Sequence, residues 1–218
     1  MGIGGAVSAM PLFALDNKGC DVKFSGIAPV VLDKPVSGVV KLTEGKNTVI
    51  EFFWYGCTHC NDLQPYMNNW IQSDKNLLVI RIPAVLSSQW EPGARLFYAL
   101  HEAGIFSEKL HEAVFNAVHK EKSLNLSVMS DIQSFLTKEG VTFDDLRKVV
   151  TFMSSDKVSK RIAAAKFVVN EYKLIGTPTL VVENQYLVTA SEAGSTAKVV
   201  PATKKVIEDI NASKVKCR

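Results

Sequence analysis

No segment of the 218-residue chain approaches the ~18 consecutive apolar residues that a membrane-spanning helix needs. No basic run of the kind that tracks phosphates is present, and the formal net charge is only +3. Nucleic acid is therefore not an expected partner. There is no internal repeat and no low-complexity tract. The opening stretch MGIGGAVSAMPLFALDNKG carries no charge before Asp16 and lacks the basic start of a secretory signal. Lys18-Gly19-Cys20 has no aliphatic residue three before the cysteine, as a lipoprotein signal would. The chain is read as a mature-like form lacking its export signal. Cysteine is scarce: Cys20, Cys57, Cys60 and Cys217. Four cysteines allow two pairs, and the even count suits an oxidising compartment. They do not suit zinc, which needs four ligands, because only one close pair exists. His101, His111 and His119 lie on candidate helices at spacings of ten and eight, which do not place them on one face. No metal is expected.

What is present is enough apolar sequence for a sizeable core. Hydrophobic residues make up 47% and charged residues 22%, which fits one large domain or one domain inserted in another. The run 47–55, NTVIEFFWY, is β-branched and aromatic and of strand length. Leu63, Met67 and Trp70 then recur at helical spacing, so a helix begins within the stretch YGCTHC. Leu77 to Ile82, LLVIRI, reads as a second buried strand closed by Pro83, which completes a βαβ unit. From about residue 92 to 172 the pattern is helical. Leu96, Leu100 and Ala103 share a face that Gly104 ends, and His111 to Lys122 is a further candidate. Ser130-Asp131-Ile132-Gln133 is a capping-box signature, and Thr142-Phe143-Asp144-Asp145 resembles one. Val158, Ile162, Ala165, Val169 and Tyr172 mark the clearest helix, stopped by Gly176. Thr179 to Glu183 is a strand, Asn184-Gln185 a turn, and Tyr186 to Thr189 pairs back. Pro201 suits the first turn of a closing helix that turns Val206, Ile207 and Ile210 inward.

The C-x-x-C at Cys57 and Cys60 carries the chemistry. A disulfide across two residues closes too small a loop to act as a staple. At a helix start, free N–H groups and the macrodipole favour a thiolate. Such sites lower a cysteine pKa from ~8.5 into the range of about 3.5–7.5. Cys57 is the natural nucleophile, Cys60 the resolving thiol one turn in, and His59 between them lends a donor or positive character. Glu51 is a lone charge in an apolar strand. It is either a strand-edge residue facing solvent or a buried acid that needs partners.

The stretch IEFFWYGCTHCNDLQPYMNNW resembles the active-site region of the DsbA family of thiol-disulfide oxidoreductases, within the thioredoxin superfamily. GTPTLVV at 176–182 resembles the loop carrying that family's cis-proline, and Leu32-Asp33-Lys34-Pro35-Val36 is similar to a run before its first strand. The resemblance spans roughly residues 27 to 212. It implies an α/β, thioredoxin-like fold with an inserted helical domain. Residues 1–26 would be an N-terminal extension, 27–90 and 173–218 the thioredoxin-like domain, and 91–172 the insertion. It further implies catalytic roles for Cys57, Cys60 and His59, and a proton relay from Glu51 to Cys60. Thr58, Thr177 and Pro178 would face the substrate, with Pro178 in a cis bond. Thr58 departs from the proline that many members carry, which implies a somewhat less oxidising pair. Cys20 and Cys217 would form a structural disulfide, worth up to about 5 kcal/mol in the loop-entropy model. Two free thiols or an intermolecular bridge are the other readings.

The expected function is donation of the Cys57–Cys60 disulfide to reduced, unfolded exported proteins in the periplasm. A DsbB-type membrane oxidase would reoxidise the pair, with no cofactor and no nucleic acid involved. The protein would act as a monomer or weak dimer. A disulfide isomerase or reductase on the same fold is the alternative, with the apolar N-terminal stretch as a dimer contact. A non-catalytic peptide-binding module is a third, against which intact Cys57, His59 and Cys60 argue.

Overall fold

A computed structural model describes residues 13–15, 21–38 and 40–216. Cys20, Cys217 and the apolar opening stretch of residues 1–12 lie outside the described residues. A short antiparallel pair, β1 (Phe13–Leu15) and β2 (Asp21–Lys23), comes first. The main sheet follows with β3 (Val30–Val31), β4 (Asn47–Phe53), β5 (Leu77–Pro83), β6 (Thr179–Val182) and β7 (Tyr186–Thr189). Its order is β3-β7-β6-β4-β5. β4 runs parallel to β5 across α1 (Thr58–Ser73), the expected βαβ unit, and antiparallel to β6.

Between β5 and β6 stand a short 3₁₀ turn and five helices: α2 (Glu91–Glu102), α3 (Glu108–His119), α4 (Met129–Lys138), α5 (Phe143–Met153) and α6 (Asp156–Glu171). α7 (Ala190–Ala193) and α8 (Thr196–Lys216) close the fold. The period-two alternation of the strands splits the interior into two cores. Val49, Leu180, Val182 and Val188 face Leu63, Met67 and Trp70 of α1 and Val206 and Ile210 of α8. Ile50, Phe52, Val181 and Leu187 face the larger core that the inserted helices share. Val22 is fully buried in the smaller core, so part of the stretch read as an N-terminal extension packs on the main body. Among the described residues no helix is long and apolar enough to cross a membrane.

Several boundaries differ from the expectation, each for a local reason. β4 ends at Phe53, and Trp54 and Tyr55 leave the sheet to shape the loop before Cys57. Thr142 does cap α5, accepting from the N–H of Asp145 at 3.2 Å. Ser130 caps nothing, because α4 starts earlier with Val128 as its cap residue. Asp131 instead accepts from the N–H of Asn125 at 3.3 Å. α6 ends at Glu171 rather than running to Gly176, because Lys173 adopts a left-handed conformation (φ +50°). The N–H of Leu174 then reaches back to the Val169 carbonyl at 3.1 Å, satisfying a terminal acceptor. The hairpin turn sits one residue early: Glu183 and Asn184 carry the positive φ values, 53° and 59°. Pro201 lies inside α8, not in its first turn, since the helix starts at Thr196 just beyond the left-handed Gly194 (φ +85°).

Candidate active site

The turn between β4 and α1 presents the two cysteines. The N–H of Cys57 closes the turn on the Trp54 carbonyl at 2.9 Å. Cys57 is itself the N-cap of α1, and its Sγ accepts from the N–H of Cys60 at 3.4 Å. Capping by sulfur places the Cys57 Sγ where the helix leaves its N–H groups unpaired. Both cysteines are free thiols. Cys57 is part-buried and donates its S–H to the Thr177 carbonyl at 3.3 Å. The Thr177–Pro178 bond is cis, as the resemblance implied. Hydrogen bonding from the Cys60 thiol is the main cause that brings Cys57 down to about 5. The Thr177 side chain and the N–H groups of Cys60 and His59 add to it against the opposing cost of burial. Cys60 is fully buried, and that burial pushes its thiol well up. The two sulfurs are thereby given opposite characters, a part-buried thiol that ionises readily and a fully buried one that does not. His59 and Thr58 are both exposed.

Glu51 is fully buried, which excludes the solvent-facing reading. Its register partner across the parallel ladder is Arg81 on β5. The Arg81 Nε donates to Glu51 Oε2 at 2.8 Å, and its Nη1 donates to Glu108 at 2.6 Å. Gln64 of α1 joins this pair to the motif: its Nε2 donates to Glu51 Oε1 at 2.9 Å and lies 3.3 Å from the Cys60 carbonyl. Gln64 Oε1 and Arg81 Nη2 are buried with no protein partner. Arg81 and Gln64 were not singled out from the sequence. The signal was there, because β4 and β5 each carry one charge in an apolar run, of opposite sign.

A second group missed by sequence reasoning grips the loop before the motif. The Tyr55 hydroxyl pairs with His111 Nδ1 at 2.7 Å, and His119 Nε2 lies 2.7 Å from the Tyr55 carbonyl. Spacing had not placed His101, His111 and His119 on one face, yet His111 and His119 both reach Tyr55 from α3. Two turns of α3 bring residues eight apart near enough for the side and the backbone of one tyrosine to meet both. His101 stands apart, stacked on Phe106 at 4.0 Å. Among the described residues no three side chains of metal-ligating type form a cluster. Trp54 stacks flat on Trp90 at 4.3 Å. A Cβ on Gly56 would stand 2.3 Å from the Trp54 ring, so only glycine fits there.

Beside Pro178 runs an open groove of about 410 Å³. Val30, Leu174, Ile175 and Leu187 make its apolar walls, and His59 stands at its rim. Ile175 is 98% exposed and Val30 48%, and the groove adjoins the Cys57 sulfur at Thr177, whose carbonyl lies 3.3 Å from it. The groove can take an extended apolar segment with its cysteine set over Cys57.

The family model described as DSBA-like thioredoxin domain matches residues 77–198. The chain is 33% identical to the thiol:disulfide interchange protein DsbA of Pseudomonas syringae pv. tomato, over 97% of this chain and 95% of that protein. It is 33% identical to the protein of the same name from Burkholderia cepacia, over 78% and 76% of the two chains. The crystal structure of Pseudomonas aeruginosa DsbA superposes with a TM-score of 0.75 at 29% identity, covering 87% of this chain and 95% of that one.

Proposed function

The chain belongs to the DsbA family of thiol-disulfide oxidoreductases, and from that premise we propose how its own residues carry out disulfide donation. The carrying observation is Cys57, part-buried, capping α1 with its sulfur and brought down to about 5. In the oxidised protein a substrate thiolate attacks the Cys57 sulfur. The Cys57–Cys60 bond breaks, Cys60 leaves and takes up a proton, and a substrate–Cys57 disulfide forms. A second substrate thiolate then attacks the substrate sulfur and expels Cys57 as a thiolate. The substrate loses two electrons and the Cys57–Cys60 pair gains them. A low-pKa thiol leaves fastest, which commits the mixed disulfide to substrate oxidation.

Glu51 serves as the buried group that exchanges the Cys60 proton, held in place by Gln64 and Arg81. Thr177 and Pro178 line the substrate path with Thr58, and the apolar groove selects unfolded segments. The partners are reduced proteins in an oxidising compartment, the periplasm, and a DsbB-type membrane oxidase restores the disulfide. Residues 91–172 form the insertion between the two parts of the thioredoxin-like domain. Cys20 and Cys217 form a second, structural disulfide.

Two variants test the assignment of roles. Cys57→Ser abolishes oxidation of a dithiol peptide. Cys60→Ser, mixed with a peptide disulfide, accumulates a covalent adduct on Cys57 visible by intact mass. Turnover by Cys57→Ser together with no adduct on Cys60→Ser reverses the assignment.

A further inference from the structure

The loop Trp54–Tyr55–Gly56 leads straight into the nucleophile. Its own turn is closed by the Cys57 N–H on the Trp54 carbonyl. Further restraints come from the 3₁₀ turn Ser88–Trp90 and from α3. Trp90 holds the Trp54 ring, and His111 holds the Tyr55 hydroxyl. Those act on side chains, with rotatable bonds between them and the chain. His119, in the last turn of α3, acts on the backbone itself, at the carbonyl two residues before Cys57. Its ring is braced by Phe115, centroids 6.2 Å apart, and Phe115 packs in turn on the Tyr55 ring at 4.9 Å.

We propose that His119 is a positioning residue for disulfide exchange. Its Nε2–H, donated to the Tyr55 carbonyl, fixes the loop to α3 and so holds the Cys57 sulfur over the first turn of α1. The contact that depends on this is the one from the Cys60 N–H, 3.4 Å from the Cys57 sulfur, and a loop that swings away forfeits it. A carbonyl only accepts, so the proton must sit on Nε2. The role adds a tie at the backbone to those that the side chains of Trp90 and His111 already make with the loop.

The inference rests on Cys57 being the thiolate of the site. The test reads the thiolate absorbance of the reduced protein near 240 nm against pH, for the wild type, His119→Ala and His119→Gln. His119→Ala is expected to raise the midpoint by about one pH unit, a roughly tenfold loss of thiolate stabilisation. His119→Gln, whose amide can donate to the same carbonyl, is expected to restore most of it. An unmoved midpoint in His119→Ala, with or without a lowered Tm, makes the residue merely structural and overturns the proposal. Equal losses in both variants overturn it too. Nitrogen-15 NMR of His119 in the wild type gives an answer that needs no variant to fold. A proton on Nε2 supports the role, and the Nδ1–H tautomer contradicts it. Cys57→Ser separates the two readings: an acid thiolate signal persisting in that variant would refute the nucleophile and the role of His119 with it, whereas a signal lost in Cys57→Ser but unmoved in His119→Ala refutes the role alone.

Discussion

A charge inside a sheet is tolerable only while its partner is there. The Arg81 side chain is 5% exposed and that of Glu51 is fully buried, 2.8 Å apart. Glu108 also meets Arg81 but from a half-exposed position. Replacing Glu51 by Gln leaves the guanidinium with that outer partner alone. The expected cost is about 3 kcal/mol, at the low end for breaking a buried pair, because Glu108 remains. Urea unfolding of the reduced protein measures it. If Glu51 also exchanges the Cys60 proton, Glu51→Gln slows formation of the mixed disulfide, the step in which Cys60 takes up its proton, more than its release, in stopped-flow traces at pH 7. Equal slowing of both steps would leave Glu51 with a structural role only. Glu51 was legible in the sequence as a misfit in NTVIEFFWY. Its partner was not, because matching it to Arg81 requires the strand register, which pairs Glu51 with Arg81 across the ladder.

At the scale of elements, the loop between β4 and α1 is clamped from the 3₁₀ turn at Trp90 and from α3. Gly56 lies under the Trp54 ring, which cannot retreat without leaving Trp90. Gly56→Ala is therefore expected to cost about 1–3 kcal/mol through overpacking and a disturbed ring stack. A loss of tryptophan near-ultraviolet circular dichroism alongside the lower Tm reports the broken stack; an unchanged spectrum would show the ring pair to be incidental. The βαβ unit was readable because apolar spacing decides it. Leu63, Met67 and Trp70 sit in the core as their periodicity required. The caps were readable only in part. Thr142 and Ser130 carry similar signatures, but the turn before α4 is already organised by Asn125, whose side chain accepts from the Ser127 N–H at 3.0 Å. His111 and His119 were illegible as loop anchors, since helical spacing describes one helix and says nothing about what packs beside it.

For the whole molecule, the two forms of the redox pair differ in what they titrate. Folding holds the Cys57 thiol at about 5, below its unfolded value of ~8.5. The unfolded chain thus binds more protons between these values, so the reduced protein gains stability as pH rises through that window. It loses the gain as pH falls through 5. The disulfide form has no thiol there to titrate. The reduced form is expected to melt higher than the oxidised form at pH 7, and the gap to close below about pH 5. The advantage is on the order of a few kcal/mol once the partial exposure of Cys57 is allowed for. Scanning calorimetry of both forms from pH 4 to 8 checks it, and a gap independent of pH would contradict it. Cys60, pushed upward by burial, titrates above this window and leaves the sign unchanged. Peptide mapping of alkylated, oxidised protein is expected to recover a fragment joining Cys20 to Cys217; two alkylated thiols there would remove that bridge.

A pair whose thiolate form is favoured over its disulfide is an oxidant, and its reduction potential, read from the Cys57–Cys60 equilibrium with glutathione, reports this. With Thr58 in the motif, the expected value lies between the roughly −120 mV of a strongly oxidising DsbA and the about −200 mV at which glutaredoxins begin. A value near the roughly −270 mV of thioredoxin would contradict it and make the protein a reductant.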